Sequence, residues 1–138
     1  MIANISNHIL YEEAIKSQMA KRLGIDNNVY DPMILENMKL VAEKCFEPAR
    51  AYFGKPIIVN SFYRCPELNK AVKGAPNSQH LKGQAIDIDT GDKYQNMILF
   101  GWMKDNLKFD QLINEYDFSW IHVSYKKQGN RNQILEIK

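Results

Sequence analysis

Cysteine is scarce in this chain. Two occur in 138 residues, Cys45 and Cys65, too few and too isolated for a disulfide framework or a Cys-rich zinc site. Cys45 reads as a buried helix-face residue and Cys65 as a turn residue before Pro66. An excess of one charge is lacking too. The net charge is +2, and no Lys/Arg run forms a groove that could track phosphates, so no nucleic-acid partner is expected. No apolar stretch is long enough to cross a bilayer, which argues against a membrane partner. Met1 to Leu10 has no apolar core behind a basic start and is a poor export leader. Repeats, low-complexity tracts and linkers are missing. What remains is 45% hydrophobic and 25% charged. That composition fits a single globular domain over residues 1–138 with a real core, and a monomer is expected.

The pattern of apolar residues puts helices first. Tyr11 to Leu23 is predicted as one helix, with Ala14, Ile15, Met19 and Leu23 at helical spacing and Gly24 as its C-terminal cap. Asp31 and Pro32 mark the start of a second, with Ile34, Met38, Val41, Cys45, Ala49 and Phe53 inward. Pro48 lies inside that pattern and predicts a kink near Glu47; Gly54 ends the helix. Pro56 to Arg64 has strand composition. Glu67 to Val72 is at most a short helix, and Lys73 to Asn77 is loop. Tyr94 to Leu107 is predicted helical, with Met97, Ile98, Trp102 and Met103 inward. Phe109 to Asn114 and Trp120 to Tyr125 read as strands joined by a turn at Glu115 to Ser119, and Ile134 to Ile137 as a last edge strand. Helices followed by short strands predict an α+β domain with a mostly antiparallel sheet flanked by helices.

The chemistry gathers around Ser78-Gln79-His80-Leu81-Lys82-Gly83-Gln84-Ala85-Ile86-Asp87-Ile88-Asp89. Its second half alternates, with Ile86 and Ile88 on one strand face and Ala85, Asp87 and Asp89 on the other. The loop ending at Gly83 can bring His80 beside Asp87. Imidazole nitrogen and carboxylate oxygen are donors of a catalytic zinc site, which needs three protein ligands and an open position for water. The third ligand is predicted as His122. In Trp120-Ile121-His122-Val123-Ser124-Tyr125 it shares a face with Trp120 and Ser124, while Ile121 and Val123 point to the core. His8 reads as a surface residue. A peptidase also needs a base for the water proton. Glu115 shares a face with Gln111 and Ile113 and is the first candidate; Asp117 is the alternative. Arg64 can clamp a carboxylate through two parallel hydrogen bonds, or can serve as a surface salt bridge.

These residues resemble a known family. Ser78-x-His80-x-x-Gly83-x-Ala85-x-Asp87 is similar to the signature of the zinc D-alanyl-D-alanine peptidases, a group that takes in carboxypeptidases, dipeptidases and phage L-Ala-D-Glu endolysins. Asn60 to Asn69 resembles the family's S-x-Y-R segment, and Phe109 to Glu115 with Trp120 to Ser124 resembles its final strands. The resemblance implies a hedgehog/D-Ala-D-Ala peptidase-like fold and a Zn2+ ion held by His80, Asp87 and His122. It implies Arg64 polarising the scissile carbonyl or gripping a substrate carboxylate, and Ser78 hydrogen-bonding substrate. The function implied is hydrolysis of peptidoglycan stem peptides by a zinc-activated water, D-Ala-D-Ala carboxypeptidase-like or L-Ala-D-Glu endopeptidase-like; Glu115, taken from the strand pattern, is the base expected to serve it. Two positions depart from well-known members: Ser119 stands where they carry the catalytic acid, and Trp120 where many carry a His. Those departures favour, as the alternative, a catalytically inactive zinc-stabilised module that binds peptidoglycan or protein. The expectation for place is synthesis in the cytoplasm without a signal peptide and action on the cell wall, as for a phage- or prophage-encoded lysin.

Overall fold

The computed structural model describes residues 4–138. Met1 to Ala3, the start of the stretch weighed as a leader, lie outside the described residues. The predicted first helix is two helices. α1 (Tyr11–Ile15) ends at extended Lys16, and α2 (Gln18–Leu23) restarts from Ser17, whose hydroxyl accepts the Ala20 N–H at 3.1 Å. A serine hydroxyl offered to a free backbone N–H competes well with helix continuation. Gly24 then closes α2 at φ 68°.

α3 (Pro32–Val41) begins as predicted, with the Asp31 carboxylate accepting the Met33 N–H at 2.9 Å. The disturbance expected from Pro48 takes the form of a π turn over Ala42–Phe46, followed by α4 (Glu47–Phe53). Pro48 has no N–H for a carbonyl four residues back, and Glu47 donates instead to Ala42, five back. The wider turn admits the ring and keeps Cys45, Phe46 and Ala49 buried.

Five strands form one sheet in the order β1-β2-β4-β3-β5. They are β1 (Ile58–Ser61), β2 (Ala85–Asp89), β3 (Gln111–Glu115), β4 (Trp120–Ser124) and β5 (Gln133–Ile137). All neighbours pair antiparallel except β3 and β5, which run parallel. β1 is shorter than the predicted Pro56 to Arg64, because pairing is irregular after Val59 and stops at Ser61. The freed segment bonds instead to its surroundings, the Tyr63 N–H to the Ala14 carbonyl of α1 and the Arg64 N–H to the His80 carbonyl. One face of the sheet carries Ile86, Ile88, Leu112, Ile121 and Val123, which share the core with Met38, Val41, Phe46, Leu99 and Met103. Strand alternation therefore sends Asp87, His122, Ile113 and Glu115 to the opposite face.

α5 (Pro66–Ala71) is the short helix anticipated, with Cys65 at its N-cap. α6 (Lys93–Asn106) corrects the predicted inward set. Asn96, Leu99 and Met103 are buried, while Met97 and Ile98 are exposed and Trp102 is half-buried, stacked on Tyr52. A helix buries one stripe at spacings of three and four, and residues 96, 99 and 103 share it. Asn96 occupies a place that apolarity alone would not assign. Its side chain accepts the Thr90 N–H at 2.9 Å and donates to the Phe118 carbonyl at 2.9 Å.

Candidate metal centre

His80 lies in a 3₁₀ turn, Gln79–Lys82, capped by Ser78, whose hydroxyl accepts the His80 N–H at 3.2 Å. Gly83 ends the turn at φ 71°, and a Cβ there would sit 2.6 Å from Met38 Cγ and 2.8 Å from the Ile34 carbonyl. Glycine lets the turn lie directly on α3. The His80 ring is buried and its Nδ1 is 2.6 Å from the Phe62 carbonyl. A carbonyl only accepts, so the proton sits on Nδ1 and the lone pair on Nε2. That Nε2 faces Asp87 Oδ2 at 3.2 Å.

His122 stands opposite Asp87 in the β2–β4 ladder. Its Nδ1 is 2.9 Å from Asp87 Oδ1, and the two imidazoles meet edge to face with centroids 5.2 Å apart. One donor atom from each of His80, Asp87 and His122 lies within 4.8 Å of the others. Two imidazoles and one carboxylate suit a zinc ion. The carbonyl behind His80 fixes that ring's tautomer and orientation, as such partners do for metal-bound histidines. The residues therefore fit the metal. Burial opposes charge on Asp87, but His80 and His122 beside it outweigh this and hold its carboxyl well below the usual carboxylate range.

Glu115 is the last residue of β3 and pairs with Trp120. Trp120 Nε1–H donates to Glu115 Oε2 at 3.1 Å, and the same oxygen lies 3.7 Å from His122 Nδ1. Burial and the neighbouring Asp87 charge push the Glu115 carboxyl above its ordinary value. Asp117 is exposed and pairs with Lys93 on the far side of the hairpin. It does not line the cleft. The hairpin turn is strained: Tyr116, Asp117 and Phe118 have φ of 53°, 56° and 60°, a region that costs non-glycine residues about 1 kcal/mol or more each. The Phe118 N–H bond to Asn114 Oδ1 at 2.6 Å and the Asn96 bond to the Phe118 carbonyl hold it in place.

Arg64 is half-buried, and its chain is gripped on both sides. Its own N–H donates to the His80 carbonyl at 3.2 Å, the Tyr63 N–H to Ala14 at 3.1 Å, and the Cys65 N–H to Asn27 Oδ1 at 2.8 Å. Its Nη2 reaches Ser78 Oγ at 3.4 Å, while its buried Nε has no protein partner. Arg64 makes no salt bridge among the described residues, so the surface ion-pair alternative is not what is found. Burial lowers its pKa, against the charges of Asp87 and Glu115.

One cleft of about 640 Å³ is lined by Arg64, Ser78, His80, Asp87, Glu115 and His122. All six residues predicted from the sequence thus share a cavity. His8 is exposed, as expected, and bonds to Glu47. Gln79, Gln111 and Arg131 also line the cleft and went unrecognised. Gln111 was legible from its alternation with Glu115; Arg131 sits in a Gly-Asn-Arg-Asn loop with no periodicity to reveal it.

A family model described as Peptidase M15 matches residues 7–124. A comparison with curated proteins finds no match.

Proposed function

The chain belongs to the peptidase M15 family, a family of zinc-dependent peptidases, and on that premise we propose that it hydrolyses peptide bonds in peptidoglycan stem peptides. The observation that carries this reading is the convergence of His80, Asp87 and His122 in an open cleft with a carboxylate, Glu115, 3.7 Å from the His122 ring nitrogen. A zinc ion held by those three side chains would supply Lewis acidity, making a water acidic near neutral pH and polarising the scissile carbonyl.

The protein's own groups supply the rest. Glu115 holds one oxygen on the Trp120 indole N–H and keeps Oε1 to take the water proton. As the water oxygen bonds to the carbonyl carbon and the C–N bond breaks, Glu115 passes that proton to the departing amine. Arg64 lines the cleft, and its guanidinium offers hydrogen bonds to the carbonyl oxygen as it gains charge, worth about 3 kcal/mol per well-placed donor. Ser78 orients Arg64 and caps the turn that carries His80. On this reading the partner is a stem peptide, the working unit is a monomer, the fold is hedgehog/D-Ala-D-Ala peptidase-like, and the cell wall is the place of action, as for a phage-type lysin.

The test is product analysis by mass spectrometry after incubating zinc-loaded protein with a defined stem pentapeptide. New termini at one bond, abolished by chelator, support the reading. Glu115→Gln should retain one zinc and lose turnover by 10²-fold or more. The second reading is a zinc-stabilised binding module, favoured by the loss of the acid at Ser119. Peptide binding without new termini in the wild-type protein would establish it and overturn the first.

A further inference from the structure

A second guanidinium lines the cleft and enters from the opposite edge of the sheet. Arg64 follows β1, the first strand in spatial order, and Arg131 precedes β5, the last. Asp87 and His122 come from β2 and β4 between them, and His80 from the turn before β2. A substrate crossing the metal ligands along this face meets one arginine on each side.

Arg131 is held in place by Asp110. Its Nε–H donates to Asp110 Oδ1 at 2.9 Å, its Nη2–H to Oδ2 at 2.7 Å, and its backbone N–H to Oδ1 at 3.0 Å. The Asp110 side chain is fully buried and also accepts Gln79 Nε2–H at 3.0 Å. A guanidinium has five N–H donors, and Asp110 engages only one edge. The other edge, Nη1 with the second Nη2 hydrogen, remains available on a side chain that is 51% exposed. The cluster is not electrically closed either. Lys126 Nζ lies 3.6 Å from Asp110 Oδ1, so two cations surround one carboxylate. An arginine fixed along one edge is pre-organised to take a carboxylate bidentately on the other.

We propose that Arg131 is a carboxylate-recognising residue, which selects peptides bearing a free side carboxylate on the arm that runs across the sheet away from Arg64. The proposal rests on the peptidase reading and narrows its substrate class. Stem peptides offer the matching group: the α-carboxylate of a γ-linked D-glutamate, which is either free or amidated.

The experiment is calorimetric titration of zinc-loaded protein carrying Glu115→Gln, to hold turnover. The probes are L-Ala-γ-D-Glu-L-Lys-D-Ala-D-Ala and its counterpart with that carboxylate amidated. The free acid should bind about tenfold more tightly. Adding Arg131→Gln should narrow the difference to within twofold, and Arg131→Lys should leave an intermediate preference. Unchanged affinity for the amidated peptide reports an intact fold. Equal affinities in the protein that retains Arg131, a preference that survives Arg131→Gln, or no binding of either peptide would overturn the proposal. Cleavage by the wild-type protein is scored separately. If the acid is preferred and neither peptide is cut, the peptidase reading fails while the recognition role of Arg131 stands.

Discussion

Replacing Asp110 by Asn removes one charge from the interior and tests how the C-terminal segment is held to the sheet. The carboxylate gathers three N–H groups of Arg131 and the amide of Gln79. The hydrogen bonds from Arg131, with burial working the other way, lower its pKa from 3.8 to about 2. Each tenfold change in proton affinity is about 1.4 kcal/mol, so the charged form contributes about 2 kcal/mol to stability at neutral pH. The sign follows from the depressed folded-state value. The contribution is full above the unfolded-state pKa, begins to fall as the pH drops below it, and vanishes only below the folded-state pKa. Linkage gives about half of it remaining at pH 3. Asp110→Asn should therefore be less stable than the parent by about 2 kcal/mol at pH 7 and pH 5, with a deficit near 1 kcal/mol at pH 3. Urea unfolding followed by tryptophan fluorescence at the three pH values reads this directly. A deficit of the same size at pH 3 as at pH 7 would refute the argument, because it would assign the loss to shape rather than charge.

Three further outcomes follow from the geometry. Gly83→Ala combines a left-handed φ with a Cβ pressed on Met38 and the Ile34 carbonyl; it should cost roughly 3 kcal/mol and weaken zinc retention, since the same turn carries His80, as thermal melts and metal analysis would show. Asp87→Asn removes the one anion of the proposed ligand set, and the protein should leave dialysis with no zinc where the parent keeps one. Burial pushes the Cys45 thiol up to about 12, so iodoacetamide at pH 8 should label Cys65 in the native protein and reach Cys45 only after denaturation.

The elements that carry chemistry were the most legible ones, for a physical reason. β2 and β4 each turn an apolar face to the core, so alternation in Ala85–Asp89 and Trp120–Ser124 places Asp87 and His122 on the opposite, cleft-lining face without knowledge of the partner strand. The predicted helices failed where a polar side chain competes with the periodic pattern. Ser17 stops α1 by offering its hydroxyl to a backbone N–H, and Asn96 takes a core position because Thr90 and Phe118 need its amide. Asp110 and Arg131 were invisible for a related reason. Their value lies in a contact between residues 21 apart in sequence, and neither periodicity nor turn chemistry encodes such a pair.

The absent acid at Ser119 bears directly on whether the centre can work. Ser119 lies on the hairpin, with its hydroxyl donating to the Tyr116 carbonyl at 2.6 Å, so that position is committed to the turn. A carboxylate arrives instead from the neighbouring strand. Ile113 pairs with His122, and Glu115, two residues on, therefore shares its face and lies diagonally across from His122. Trp120, directly opposite Glu115, supplies the N–H that orients it. On the proposed reading, the indole at the second departure orients the carboxylate that takes the acid's place. The register makes this possible: a slip of one residue between β3 and β4 would turn Glu115 to the core and bring Asn114 to the cleft. Three successive left-handed residues, Tyr116 to Phe118, hold that register against their own strain. A relaxed turn would forgo the strain at the risk of losing the register. The strain therefore sits in the turn that follows Glu115 and sets where its carboxylate points.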